Sequence, residues 1–119
     1  MISRFSIIAL IFLSVSDVKE INWQTEEQVD IVYEENPKDI FLLYSADWCA
    51  SCISLKKFLN KHADKLNDKM YFIYKDCTNQ VLDNVNIYPR SYIYTVSGNT
   101  IMLEGKIENK KLKSLLELN

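Results

Sequence analysis

The sequence predicts an α/β domain, with a central mixed β-sheet flanked by helices on both faces. Three observations carry this. Residues 40–45 and 70–75 are apolar runs without polar alternation, as strands covered on both sides require. Between them, Leu55, Phe58, Leu59, His62 and Leu66 recur at three- and four-residue steps, the period of an amphipathic helix. Beyond them, residues 91–96 and 100–103 flank the turn Ser97-Gly98-Asn99 as a hairpin, and a leucine-rich helical stretch follows. Helix, strand, helix, strand, hairpin and helix, in that order, pack as layers of helices on one mixed sheet.

Taken in order, residues 1–16 read as a signal peptide. Arg4 gives a positive start, residues 7–13 an apolar stretch, and Ser14-Val15-Ser16 small residues at a cleavage site. As a helix, residues 5–15 would span only about 16 Å, too short for a hydrocarbon core of about 30 Å. One domain, residues 17–119, is expected after cleavage. Its compartment would be oxidising, so the protein is expected to be exported, periplasmic or secreted.

Thr25-Glu26-Glu27-Gln28 is a capping box. Val29, Val32 and Tyr33 mark the inner face of the helix it starts, and Pro37 stops that helix. The helix after the dithiol is expected to run to about Leu66, with Lys56, Lys57, Lys61 and Lys65 on a solvated outer face. Asp76-Cys77-Thr78-Asn79 ends the second apolar strand, and a short turn or helix reaches Asn84. Gly105 breaks the hairpin pattern, as a bulge would. The last helix is expected over residues 110–118, with Leu112, Leu115, Leu116 and Leu118 inward.

Length and composition suit one globular domain. The 119 residues are 48% hydrophobic and 25% charged, with a net charge of −2 and the two signs well mixed. No basic face of the kind nucleic acid needs is visible in this pattern. The three cysteines, Cys49, Cys52 and Cys77, are too few for a disulfide framework and read as one close pair plus a spare thiol. A zinc site would want four ligands, and only His62 and distant carboxylates stand near the pair in sequence, so no metal or cofactor is expected.

The chemistry gathers at Asp47-Trp48-Cys49-Ala50-Ser51-Cys52, where a buried strand turns into a helix. Unpaired N–H groups and about half a positive charge at a helix N-terminus favour thiolate over thiol. Cys49 at the cap is expected to be exposed and nucleophilic, and Cys52, one turn in, shielded and resolving. A purely structural Cys49–Cys52 bridge is the alternative, but so small a loop stabilises little.

Trp-Cys-x-x-Cys between strand and helix resembles the active site of the thioredoxin family. Val85-Asn86-Ile87-Tyr88-Pro89 before the apolar stretch from Ser91 is similar to that family's cis-proline segment. Ile21-Asn22-Trp23 and Ala46-Asp47-Trp48-Cys49 are similar to a secreted subgroup that includes the thioredoxin-like domain of periplasmic disulfide reductases. The resemblance spans residues 21–118 and implies a thioredoxin fold and thiol–disulfide exchange. Catalysis would rest on Cys49 and Cys52. Trp48, Tyr88 and Pro89 would bind substrate, Pro89 through a cis bond that leaves backbone groups free for an extended segment. The implied partners are proteins bearing disulfides or thiols and a partner dithiol. No nucleic acid and no membrane insertion after cleavage are expected, and the chain would act as a monomer.

Several residues keep two readings. Trp48 either packs beside the site or shapes the docking face. Arg90 either reaches the dithiol or is a surface charge. Cys77 reads as a small hydrophobe, with a regulatory thiol as the alternative, and His62 carries no role. The chain departs from the family at Leu43, where many thioredoxins hold a buried Asp that accepts a proton from the second cysteine, and at Lys56, acidic in the periplasmic domains. Two rival functions stand beside exchange: a non-catalytic binding module or chaperone on the same fold, and a metal carrier using Cys49 and Cys52.

Overall fold

The computed structural model describes residues 19–118. The expected signal peptide, residues 1–16, lies outside them. The elements are β1 (Trp23–Gln24), α1 (Glu26–Tyr33), β2 (Asp39–Ser45), α2 (Ala50–Lys61), α3 (Ala63–Lys69), β3 (Met70–Asp76), β4 (Arg90–Tyr94), β5 (Thr100–Glu104) and α4 (Asn109–Leu115).

The sheet order is β1-β3-β2-β4-β5. β3 runs parallel to both β1 and β2, while β4 is antiparallel to β2 and to β5. The apolar run of β2 thus lies in the middle, and residues 41–45 are all buried. Alternation along β2 divides two cores. Phe41 and Leu43 join Phe72 and Ile93 under Leu55, Phe58 and Leu59 of α2, Leu66 of α3 and Leu112 of α4. Leu42 and Tyr44 face the other way, with Tyr71, Ile73, Cys77 and Val85, beneath Val29 of α1.

The capping box forms at α1: Gln28 N–H donates to Thr25 Oγ1 at 3.1 Å, and Thr25 N–H donates to Gln28 Oε1 at 2.9 Å. Val29 is buried and Tyr33 partly so, as the pattern predicts, but Val32 is exposed.

The long helix expected to Leu66 breaks at His62 (φ −112°, ψ 20°). Past the break Ala63 and Leu66 are buried, and His62 lies against Phe58, ring centroids 4.9 Å apart. Just before the break, Asn60 Oδ1 accepts the Ile21 N–H at 2.8 Å, tying the entry strand to α2. β1 had no pattern of its own to announce it, since two residues show no period. Gly105 ends β5 with φ +73° rather than bulging it, and its N–H donates to the Pro89 carbonyl at 2.8 Å. The last helix is shorter than expected, yet Leu112, Leu116 and Leu118 are buried and Leu115 is partly so.

Candidate functional site

The site sits where β2 ends and α2 begins. Ser45 and Ala46 are buried at the end of the strand, and Cys49 N–H donates to the Ala46 carbonyl at 3.1 Å, closing the turn. Cys49 has extended backbone (φ −97°, ψ 107°) and is the N-cap of α2. Its Sγ accepts the Cys52 N–H at 3.2 Å, so the sulfur takes the place that a capping oxygen holds elsewhere. That bond satisfies one of the N–H groups that the first turn of α2 would otherwise leave unpaired.

Both cysteines are unbridged. Cys52 has no exposed surface. Cys49, expected to be open, retains 9%. The reason is its company: Ala46, Cys52 and the ring of Tyr88 close around it. It is still the more accessible of the pair. Burial, followed by the hydrogen bond with Cys49, pushes the Cys52 thiol up to about 11. The Ala46 N–H and the Ser45 hydroxyl act against this by favouring the thiolate. Ser45 shares the sheet face of Leu43, toward α2. It has no exposed surface, and its Oγ has no hydrogen-bond partner at rest. Leu43, where the resemblance implies an acid, is fully buried among apolar side chains.

The Tyr88–Pro89 peptide is cis, and Pro89 is buried. Tyr88 is partly buried and donates from its hydroxyl to the Val85 carbonyl at 2.7 Å. Burial raises its pKa, as do Cys77 and, more weakly, Cys52. Trp48 is 65% exposed, its ring edge-on to Tyr88 with centroids 5.7 Å apart. So Trp48 packs on Tyr88 and also shows most of its surface to solvent.

Thr78 was not singled out from sequence, yet it anchors this corner. Its carbonyl accepts the Trp48 Nε1–H at 2.9 Å and its hydroxyl accepts the Asp47 N–H at 3.0 Å. Asp76 Oδ1 in turn accepts the Thr78 N–H at 2.9 Å. The Asp-x-Thr step at a strand end is the sequence signal for such a side-chain turn.

Other candidates lie elsewhere. Arg90 does not turn to the dithiol: on β4 it is paired with Glu104 across the strand, at 2.9 Å. Lys56 donates to Tyr74 Oη at 2.8 Å and lies over that ring. Cys77 is buried just past β3, its N–H donating to the Ser45 carbonyl at 2.7 Å. Among the described residues no group of three His, Cys, Asp or Glu side chains is placed to hold a metal, and no helix is long and apolar enough to cross a membrane.

A parallel-antiparallel five-stranded sheet, a dithiol at the N-cap of a helix and a cis-proline segment packed against it define the thioredoxin class of fold. The sequence model of that family, described as Thioredoxin, matches residues 19–118, and the chain belongs to the family. Two solved structures show the same fold. Chloroplastic thioredoxin z superposes with a TM-score of 0.64 at 15% identity, covering 84% of this chain and 94% of that one. A mutant thioredoxin from Halobacterium salinarum NRC-1 gives 0.60 at 18% identity, covering 86% and 91%. No curated protein sequence matches the chain. Membership brings with it thiol–disulfide redox chemistry as the general class of activity.

Proposed function

We propose that the protein exchanges thiols and disulfides with protein substrates outside the cytoplasm, through Cys49 and Cys52. The observation that carries this is the Cys49 sulfur at a helix cap, accepting an N–H at 3.2 Å, beside a second thiol with no exposure of its own. In the reducing direction, Cys49 thiolate attacks a substrate disulfide. A Cys49–substrate mixed disulfide forms and one substrate thiolate leaves, taking a proton from water. Cys52 then gives up its proton to solvent and attacks Cys49 Sγ. The Cys49–Cys52 disulfide forms and the second substrate thiolate departs, so two electrons have passed to the substrate. A partner dithiol restores the pair. The steps run equally in reverse, and about 30 mV in the pair's potential changes the equilibrium tenfold.

Trp48, Tyr88 and Pro89 would receive the substrate segment; support comes from the exposed Trp48 ring packed on Tyr88. Export rests on the pattern of Arg4, residues 7–13 and Ser14-Val15-Ser16. Mass spectrometry of the cell-made chain checks it, and retention of residues 1–16 would overturn it.

The test of exchange is trapping. Cys49→Ser is expected to abolish reduction of a model protein disulfide, and Cys52→Ser to accumulate a mixed disulfide through Cys49. Complexes formed through Cys52 in the Cys49→Ser protein would reverse the roles, and no exchange by the unaltered chain would sink the proposal.

A further inference from the structure

The site continues into a groove that the exchange chemistry does not use. Ser51, between the two cysteines, shares a cleft with Pro89, Ser54, Lys106 and Asn109. Ser54 and Asn109 also line a second depression, of about 320 Å³, so the two adjoin. The second runs between α2 and α4, walled by Lys57 and Lys61 on one side and Lys113 on the other, with His62 and Phe58 beneath. Neither part is lined by any Asp or Glu.

A chain of net charge −2 thus gathers four lysines along two adjoining depressions, the first of them beside Pro89. Lys57 and Lys61, four apart on a helix, repel each other, a local arrangement that weakens the helix slightly. None of Lys57, Lys61 and Lys113 forms an ion pair among the described residues. The field is felt inside the wall. Burial and then Lys113, Lys61 and Lys65 hold the His62 imidazole below its ordinary pKa. His62 Nε2 is buried without a hydrogen-bond partner. The depression is far larger than the roughly 30 Å³ share of one water, and it opens to solvent. That size suits a side-chain-bearing segment rather than a single ion.

We propose that the groove between α2 and α4 receives an acidic stretch of the protein substrate whose disulfide is engaged at Cys49. The inference rests on the exchange reading above and adds a substrate class to it: disulfides flanked by Asp and Glu. Complementary charge at a rim raises the encounter rate and fixes orientation more than it adds intrinsic affinity. The preference therefore falls on the second-order rate constant and fades with salt.

The test uses the reduced full chain and synthetic disulfide peptides that are identical around the cystine. One pair carries a tail of Glu residues, before or after the cystine, and the other carries Gln in the same places. At low ionic strength a Glu peptide is expected to react about tenfold faster than its Gln counterpart. The advantage should shrink in high salt. It should vanish in the Lys57→Gln/Lys61→Gln/Lys113→Gln protein, while the Gln peptides keep their rate. Lys113→Glu alone should halve or reverse the preference, which keeps the test open should the triple variant fold poorly. Equal rates for Glu and Gln tails in both placements would overturn the inference, as would a preference that survives the substitutions. If the unaltered protein reduces no peptide, the exchange reading itself fails, and this inference with it.

Discussion

Replacing Leu43 by Asp puts back the acid that the resemblance implies, and the structure sets what it costs. Leu43 is fully buried, so losing its side chain from the core forfeits about 1.5–3 kcal/mol. The introduced carboxyl would not lack neighbours. Ser91 lies directly opposite on β4 and Ser45 two residues along, both buried, and their hydroxyls can donate. Burial still raises the carboxyl's pKa above its ordinary value of about 3.9. The sign follows. The folded state holds the proton and the unfolded chain releases it, so the added cost is absent below about pH 4 and grows as pH rises to the folded pKa. At about 1.4 kcal/mol per pH unit, a carboxyl raised by about three units costs about 4 kcal/mol more at pH 7 than at pH 3. Together with the lost leucine this approaches the whole stability of a small domain, about 5–15 kcal/mol. Urea melts at pH 4 and pH 7 measure it, with Leu43→Asn as the neutral control. In the same variant, the release rate of a Cys49 mixed disulfide should gain a new pH dependence, as the carboxyl takes the Cys52 proton. A stability difference independent of pH would show that the carboxyl is not buried. An unchanged release profile in folded protein would show that Leu43 does not face the dithiol.

Three further outcomes are expected. Ser45→Ala removes a buried hydroxyl without a resting partner, so the melting temperature should hold or rise, yet release from the mixed disulfide should slow about tenfold at neutral pH, with Ser45→Thr restoring it; a normal release profile would remove Ser45 from the mechanism. Thr78→Val should lower the urea midpoint at pH 7. Because the Thr78 hydroxyl and N–H hold the Asp76 carboxyl below its ordinary 3.8, that contribution is present above 3.8 and lost as pH falls through the folded value, so the gap from the parent protein should narrow in acid. Cys77→Ser should leave model-disulfide reduction nearly unchanged, since that thiol is buried beyond β3; a large loss of rate with an intact fold would give Cys77 a redox part.

Local order was legible because local physics sets it. The apolar run of β2, the Thr25 capping box, the turn at Ser97-Gly98-Asn99 and the step from strand to helix at Cys49 each need only neighbours in sequence, so their residue types announce them. Tertiary packing decided the rest. Cys49 is less open than a helix cap suggests, because Tyr88, 39 positions further on, closes over it. Trp48 takes its bearing from the Thr78 carbonyl, 30 residues away. Helix α2 stops at His62 although its apolar period continues to the buried Leu66, and no Gly or Pro near His62 announces the break. Lysines that read as a solvated face stand along a groove, because α4 brings Lys113 and Asn109 across from them. Ser45 looks like any small residue in a strand. Its hydroxyl acquires meaning only from the Cys52 sulfur that folding sets beside it, where no water competes.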